Sequence, residues 1–369
     1  MLKHPIFLGH EIYRGSSYGV SHPLRIPRVS TVMDLSRALG WLPRAQFRAS
    51  PRAKAAALTH WHSPEYLKAL QQAEQDGHVS DQVRDRHGIG TASNPVFPEI
   101  WRRPATSAGG SLLAGELLKN GGIVYHPAGG THHAFADRAG GFCYLNDPVL
   151  ALLSLRRNGV QRLVYLDIDA HHPDGVESAF ANDPDCLMVS VHEENRWPKT
   201  GALGAVGGGA LYNLPVPAGL NDTEMELIWA QIILPKIVAF APDGIVLQCG
   251  ADAVEEDPLS RLTLSNNAHW KIVEGLKGLS LRLLVLGGGG YNPWSVGRLW
   301  TGVWATLNGF EIPNVLPPQA EAILRGLEFP GNSRGRNPPE HWFTTLRDNP
   351  KPGAIRDTVR DRVAFLAKR

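Results

Sequence analysis

Short apolar runs rich in β-branched and aromatic residues alternate along the chain with stretches of helical period, and clusters of Gly, His and Asp follow the ends of the runs. The runs predict strands at Ile6–Leu8, Ile123–Tyr125, Leu163–Leu166, Cys186–Val191, Gly244–Cys249 and Leu283–Leu286. Helices are predicted over Val29–Leu39, Pro64–Gln75 with Ser63 as cap, Ala105–Leu118, from Asp147-Pro148 to Gly159, Gly175–Phe180, around Glu224–Phe240, over Asn266–Leu276, and from Ala354 to the end. Between Gly77 and Pro104 no periodicity survives, which predicts a long loop of the kind that shapes a binding rim. This alternation predicts an α/β fold with a mostly parallel sheet covered on both faces, whose ligands sit at the C-terminal strand ends. The ends after residues 125, 166, 249 and 286 are expected to converge on one site. With no composition break before about residue 310, residues 1–310 read as one domain, and residues 311–369 as a Pro-rich segment and helix packed on it. Ile355, Val359, Val363 and Leu366 share a stripe of that helix, and its Arg and Lys read as a solvated face.

The densest cluster is Leu163-Val-Tyr-Leu-Asp-Ile-Asp-Ala-His-His-Pro-Asp-Gly175, where an apolar run breaks into three carboxylates and two imidazoles within eight residues. Side chains two apart on an extended chain share a face, so Asp167, Asp169 and His171 can point into one cavity. Burying such groups without a cation costs several kcal/mol apiece, to an order of magnitude, so the pattern implies a metal ion. Asp169 and His171, with Asp252 after Gly250-Ala251, form the expected ligand set. Three protein ligands leave a position open for water and substrate, as in hydrolytic zinc sites.

Two carboxylates make such a centre a weak Lewis acid, so activating water calls for added bases, and His132 and His133 after Gly129-Gly130 supply them. Asp167 and Asp174 remain as orienting partners, giving two His-Asp dyads. Tyr291, after Gly287-Gly-Gly-Gly290, can donate to a polarised carbonyl. Neither that run nor Gly207-Gly-Gly209 continues as a nucleotide-binding motif. His60 and His62 read as structural residues, and Cys143 as a small buried one.

Composition narrows the picture further. The 369 residues are 43% apolar and 20% charged, and 37 Lys plus Arg against 35 Asp plus Glu leave a formal charge of +2, giving no general attraction to nucleic acid or acidic membranes. Three widely spaced cysteines without a CxxC pair, no apolar run able to span a bilayer and no signal-peptide core predict a cytoplasmic protein.

The motifs Gly-Gly-Thr-His-His-Ala134, Gly-Phe-Cys-Tyr-Leu-Asn-Asp147, Asp167-Ile-Asp-Ala-His-His-Pro-Asp-Gly175, Gly250-Ala-Asp252 and Gly287-Gly-Gly-Gly-Tyr291 resemble those of the zinc-dependent histone deacetylase family, which includes bacterial deacetylase-like amidohydrolases and acetoin-utilisation proteins. The resemblance runs from about His22 to Leu307 and implies the single-domain, three-layer arginase/deacetylase α/β fold. It implies Zn²⁺ on Asp169, His171 and Asp252, His133 with Asp174 as general base then acid, His132 with Asp167 as electrostatic support, and Tyr291 as oxyanion donor. Gly141 and Phe142 match the acyl-lysine tunnel, with Trp197 as a second tunnel aromatic. A structural K⁺ would draw on Asp167, Asp169, His171, Ser190 and Val191, and a second monovalent site would lie near Phe180 and Tyr212. The implied partner is an acyl-lysine protein or an acylated small-molecule amine, with neither nucleic acid nor membrane and with room for a homo-oligomer.

Three positions depart from the family pattern. Pro173 stands for a usual glycine, Trp197 for a usual phenylalanine, and Ser93-Asn94-Pro95 for the stretch holding the rim aspartate of many protein deacetylases. An acylpolyamine deacylase is the close alternative. Its acidic rim gatekeeper is not evident, because apolar Leu259 follows Asp257-Pro258, although Glu255, Glu256 or a second subunit could supply the charge. A non-catalytic acyl-lysine binding module and an arginase-like manganese hydrolase are the remaining alternatives.

Overall fold

Eight parallel strands run in the order β2-β1-β3-β8-β7-β4-β5-β6 across one sheet. They are β1 (Ile6–Gly9), β2 (Phe47–Ala49), β3 (Gly122–His126), β4 (Leu163–Asp167), β5 (Cys186–Glu193), β6 (Ala210–Val216), β7 (Gly244–Gln248) and β8 (Arg282–Leu286). The computed structural model describes residues 2–329, 332 and 335–369. The sheet is thus wholly rather than mostly parallel, and every described strand delivers its C-terminal end to the same edge.

Period two is hidden in the central strands because both faces are apolar. In β4, Val164 and Leu166 join one core layer while Leu163 and Tyr165 join the other; β7 and β8 divide in the same way. One layer is closed by the helices Arg102–Leu117, Asp147–Arg157 and Asp174–Phe180. The other is closed by Val29–Ala38, Asn266–Leu276, Pro293–Asn308 and the helical stretch Asp222–Phe240, whose middle turn, Trp229–Ile233, is π-wound. Because β3, β8, β7 and β4 are neighbours, the four strand ends expected to meet do so side by side.

Several elements depart from the sequence expectation. The stretch 77–104 holds the helix Asp81–His87, capped by Ser80 and closed by left-handed Gly88, and the next helix begins at Arg102 rather than Ala105. β6 follows three glycines and contains Pro215, which an edge strand tolerates because one side of it needs no partner. The helix Pro293–Asn308 buries Trp294, Trp300, Trp304 and even Arg298, so it has almost no polar face to betray its period. Arg298 pairs with buried Asp348 at 2.6 Å, and Asn266 donates from its N to Asp348 Oδ2 and from its Nδ2 to Leu346 O while its Oδ1 accepts from Asp348 N. On the terminal helix Asp357–Ala367, Val359, Val363 and Leu366 are fully buried in the larger core layer, whereas Ile355 precedes the helix.

Candidate active site

The end of β4 sends Asp169 and His171 toward the end of β7, where Asp252 meets them, and their donor atoms all lie within 4.8 Å of one another. His171 Nδ1 is 2.9 Å from Asp252 Oδ2 and 3.2 Å from Asp169 Oδ1. Backbone amides hold the outer carboxylate oxygens, with Ala170 donating to Asp252 Oδ1 at 3.0 Å and Gly289 to Asp169 Oδ2 at 2.6 Å. A Cβ at Gly289 would collide with Asp252 Oδ2, so only glycine lets the β8 loop close over these acids. No Lys or Arg among the described residues pairs with the three groups. One imidazole nitrogen and two carboxylate oxygens, buried and converging without a cation, fit a divalent metal.

His132 and His133 come from the loop after β3, with ring centres 4.0 Å apart. Each Nδ1 lies 2.8 Å from a carboxylate, His132 from Asp167 Oδ2 and His133 from Asp174 Oδ1. Their surroundings differ. Burial opposes charge on His132, but Asp167 and Asp169 outweigh it and raise the imidazole to about 9. Burial, reinforced by the His132 charge, pushes His133 down to about 3 despite its bond to Asp174.

Two cavities meet here. The outer one, of about 620 Å³, reaches His133 and His171 past Gly141, Phe142, Trp197 and Tyr291. Trp197 packs edge-to-face on His133 at 4.6 Å, and Phe142 does the same with Tyr291 at 5.8 Å. The inner one, of about 50 Å³, lies beyond Tyr291 and is lined by Arg28 and Arg103, neither of which has an acidic partner among the described residues. Burial and the nearby Asp252 and Asp169 push the Tyr291 phenol well above its usual range, keeping it a donor.

A family profile for the histone deacetylase domain matches residues 22–307. The chain belongs to the histone deacetylase family. It is 35% identical to histone deacetylase 1 of Homo sapiens over 338 residues, 88% of this chain and 70% of that protein. Among solved structures it resembles an HDAC homologue complexed with SAHA, with a TM-score of 0.94 and 32% identity over 99% of this chain and 100% of that one. It also resembles an HDAC homologue from Aquifex aeolicus, with a TM-score of 0.92 and 33% identity over 99% and 100%. The family assigns a hydrolase that removes acetyl groups from amides, on the arginase-like α/β fold.

The histone deacetylase site also rests on residues that sequence reasoning left without a role. Asp147 is fully buried and accepts from Gly130 N, Thr131 N and Ser111 Oγ, fixing the loop that carries both histidines. Asn146 donates to the carbonyls of His132 and Ala134, and its own N–H is accepted by His62 Nε2 at 3.0 Å, so His62 is structural as expected. Tyr165 donates to Asp167 Oδ2 at 2.7 Å, and Asp257 accepts from Tyr291 N at 2.6 Å. Asn146 and Asp147 end the Gly-Phe-Cys-Tyr-Leu-Asn-Asp147 motif, which marks their position but not their hydrogen-bond partners, and nothing local marks Tyr165.

At the rim, Asn94 is buried, and its Oδ1 accepts from Phe142 N at 2.9 Å, so it supports the wall of the outer cavity and leaves Ser93 facing that cavity. Glu255 does not supply a free rim charge, because Lys351 pairs with it. Ser190 and Val191 lie on β5, with Ser190 in register with Asp167. Tyr212 lies on β6, opposite Val189. No described helix is long and apolar enough to cross a membrane.

Proposed function

We propose that this deacetylase is a zinc amidohydrolase of acyl-lysine side chains. Asp169, His171 and Asp252 would hold Zn²⁺, which when bound supplies Lewis acidity toward water and the acyl carbonyl. With its Nδ1–H held by Asp174, His133 presents Nε2 as an acceptor, takes a proton from the attacking water and returns it to the departing lysine nitrogen. The C–O bond forms first, turning the carbonyl into a tetrahedral oxyanion, and the C–N bond breaks as the nitrogen takes the proton from His133, leaving a carboxylate and an amine. Positive His132, held by Asp167, offsets the developing negative charge, and the Tyr291 phenol donates to the carbonyl oxygen. Gly141, Phe142 and Trp197 flank the methylenes of the acyl-lysine. Arg28 and Arg103 give the inner cavity a charge suited to a carboxylate product.

The observation that carries lysine over polyamine is the charge at the mouth. Of the acids lining the outer cavity, Glu193 is paired with Arg196 and accepts from Arg261 N at 2.8 Å, and Glu194 is paired with Arg362, while Arg261, whose guanidinium forms no ion pair among the described residues, lines the same cavity. A polycation would meet no free carboxylate there. Side-by-side turnover of an acetyl-lysine peptide and acetylspermidine by the zinc-loaded protein tests this: the peptide is expected to win in kcat/KM, and a preference for acetylspermidine would overturn it. A structural K⁺ on Asp167, Asp169, His171, Ser190 and Val191, and a second monovalent ion near Phe180 and Tyr212, belong to the same proposal. Replacing K⁺ by a large organic cation is expected to lower the unfolding midpoint.

A further inference from the structure

Trp197 sits on His133, yet part of what holds its segment in place comes from outside the matched residues 22–307. The chain from Glu193 to Ala205 leaves β5 and crosses the rim of the outer cavity. Its two left-handed non-glycine residues are Asn195 (φ 58), a type that tolerates this conformation, and Lys199 (φ 65), a type that disfavours it. The far end is pinned from within. Thr200 Oγ1 lies 2.8 Å from His172 Nδ1, His192 Nε2 lies 3.0 Å from Gly201 O, and a Cβ at Gly201 would strike the His172 ring.

The outward side is pinned by the terminal helix Asp357–Ala367 and the residues that follow it. Arg362 Nη2 is 2.6 Å from Glu194 Oε2, and its Nη1 donates to Pro215 O at 2.7 Å. Phe365 packs under Gly204, and Arg369 donates to Ala205 O at 3.2 Å while lying over the Tyr212 ring. Arg362 and Glu194 have side chains 20% and 31% exposed, so their pair is more sheltered than an ordinary surface ion pair. The expected solvated face of this helix is therefore engaged at Arg362.

We propose that the terminal helix is a brace for the substrate-tunnel rim, with Arg362 as a positioning residue that acts through Glu194 on the segment carrying Trp197. The kinetic consequence rests on the acyl-lysine reading; the mechanical one does not. The brace sets how well the rim is preorganised for substrate, so weakening it raises KM and leaves the chemistry at His133 intact.

The test compares wild type, Arg362→Gln, Glu194→Gln and the conservative Arg362→Lys, all as full chains, by amide hydrogen exchange and by steady-state kinetics on an acetyl-lysine peptide. Each Gln variant is expected to speed exchange over residues 194–205 by about tenfold and to raise KM severalfold with kcat within about twofold, as befits a loss of local rather than global stability. Arg362→Lys is expected to keep most of the protection and of the affinity. Unchanged exchange at 194–205 in the Gln variants, or faster exchange spread through β4 and β7 with kcat falling as KM rises, would overturn the brace. Absence of turnover in wild type would count against the acyl-lysine reading alone, and exchange would then decide the brace by itself.

Discussion

His132 and His133 are adjacent in sequence and each holds a carboxylate 2.8 Å from Nδ1, yet the two dyads are built into the molecule in opposite ways. Asp167 ends a central strand, is fully buried, and also serves Tyr165 Oη and the Asp169 amide. Asp174 opens a short helix, and its side chain is 14% exposed. Electrostatics follow placement: two acids raise His132, while burial and the neighbouring charge lower His133. We propose that the first dyad serves as a fixed charge joined to the sheet and the second as a proton carrier at the cavity, in keeping with the opposite shifts of the two imidazoles.

The comparison breaks most visibly in rate. His133→Ala is expected to lower kcat by ~10² to 10⁴-fold with little change in unfolding midpoint, the range for loss of a general acid-base. His132→Ala is expected to cost less in rate and more in stability; equal rate losses would remove the distinction between the dyads. Stability sharpens it from the other side. Asp167→Ala strands buried partners and is expected to cost about 3–5 kcal/mol in denaturant unfolding. Asp174→Ala, in the first turn of a helix, should cost about 1 kcal/mol. Tyr291→Phe tests the proposed oxyanion donor, with kcat expected to fall by about 10²-fold or more.

The pH dependence of stability tests the scaffold of the histidine loop. Burial holds the His62 imidazole down at about 4, and its Nε2 accepts from Asn146 N. The unfolded chain protonates this ring below its ordinary value near 6.5 while the folded chain does not until about pH 4, so its contribution is full above 6.5 and fades as pH falls to 4. Wild type is expected to lose up to ~3 kcal/mol through this group over that window. His62→Gln should show a correspondingly shallower pH dependence, and an unchanged slope would discount the role.

The chain itself announced most of this arrangement, for physical reasons. Polar clusters after apolar runs could be read because a parallel sheet sends all its C-terminal ends to one edge, so residues far apart in sequence had to meet. His132, His133, Asp169, His171, Asp252 and Tyr291 do come together. What stayed hidden is tertiary. The Trp294–Trp304 helix is buried on all sides and lacks amphipathic contrast, and β6 disguises itself with Pro215. Asp147 works through backbone amides that no motif spacing displays, and Arg362 reaches Glu194 across 168 residues. Asn94, read as part of the rim, turned inward because the Phe142 amide needed an acceptor.

The most direct test of the central claim is a zinc titration of chelator-stripped protein, following acetate release from an acetyl-lysine peptide. Release is expected to be negligible without metal and to saturate at one zinc per chain, with Asp252→Ala showing neither binding nor turnover. Full turnover in the stripped protein, or saturation only at two metal ions per chain, would contradict a single Asp169-His171-Asp252 centre served by His133.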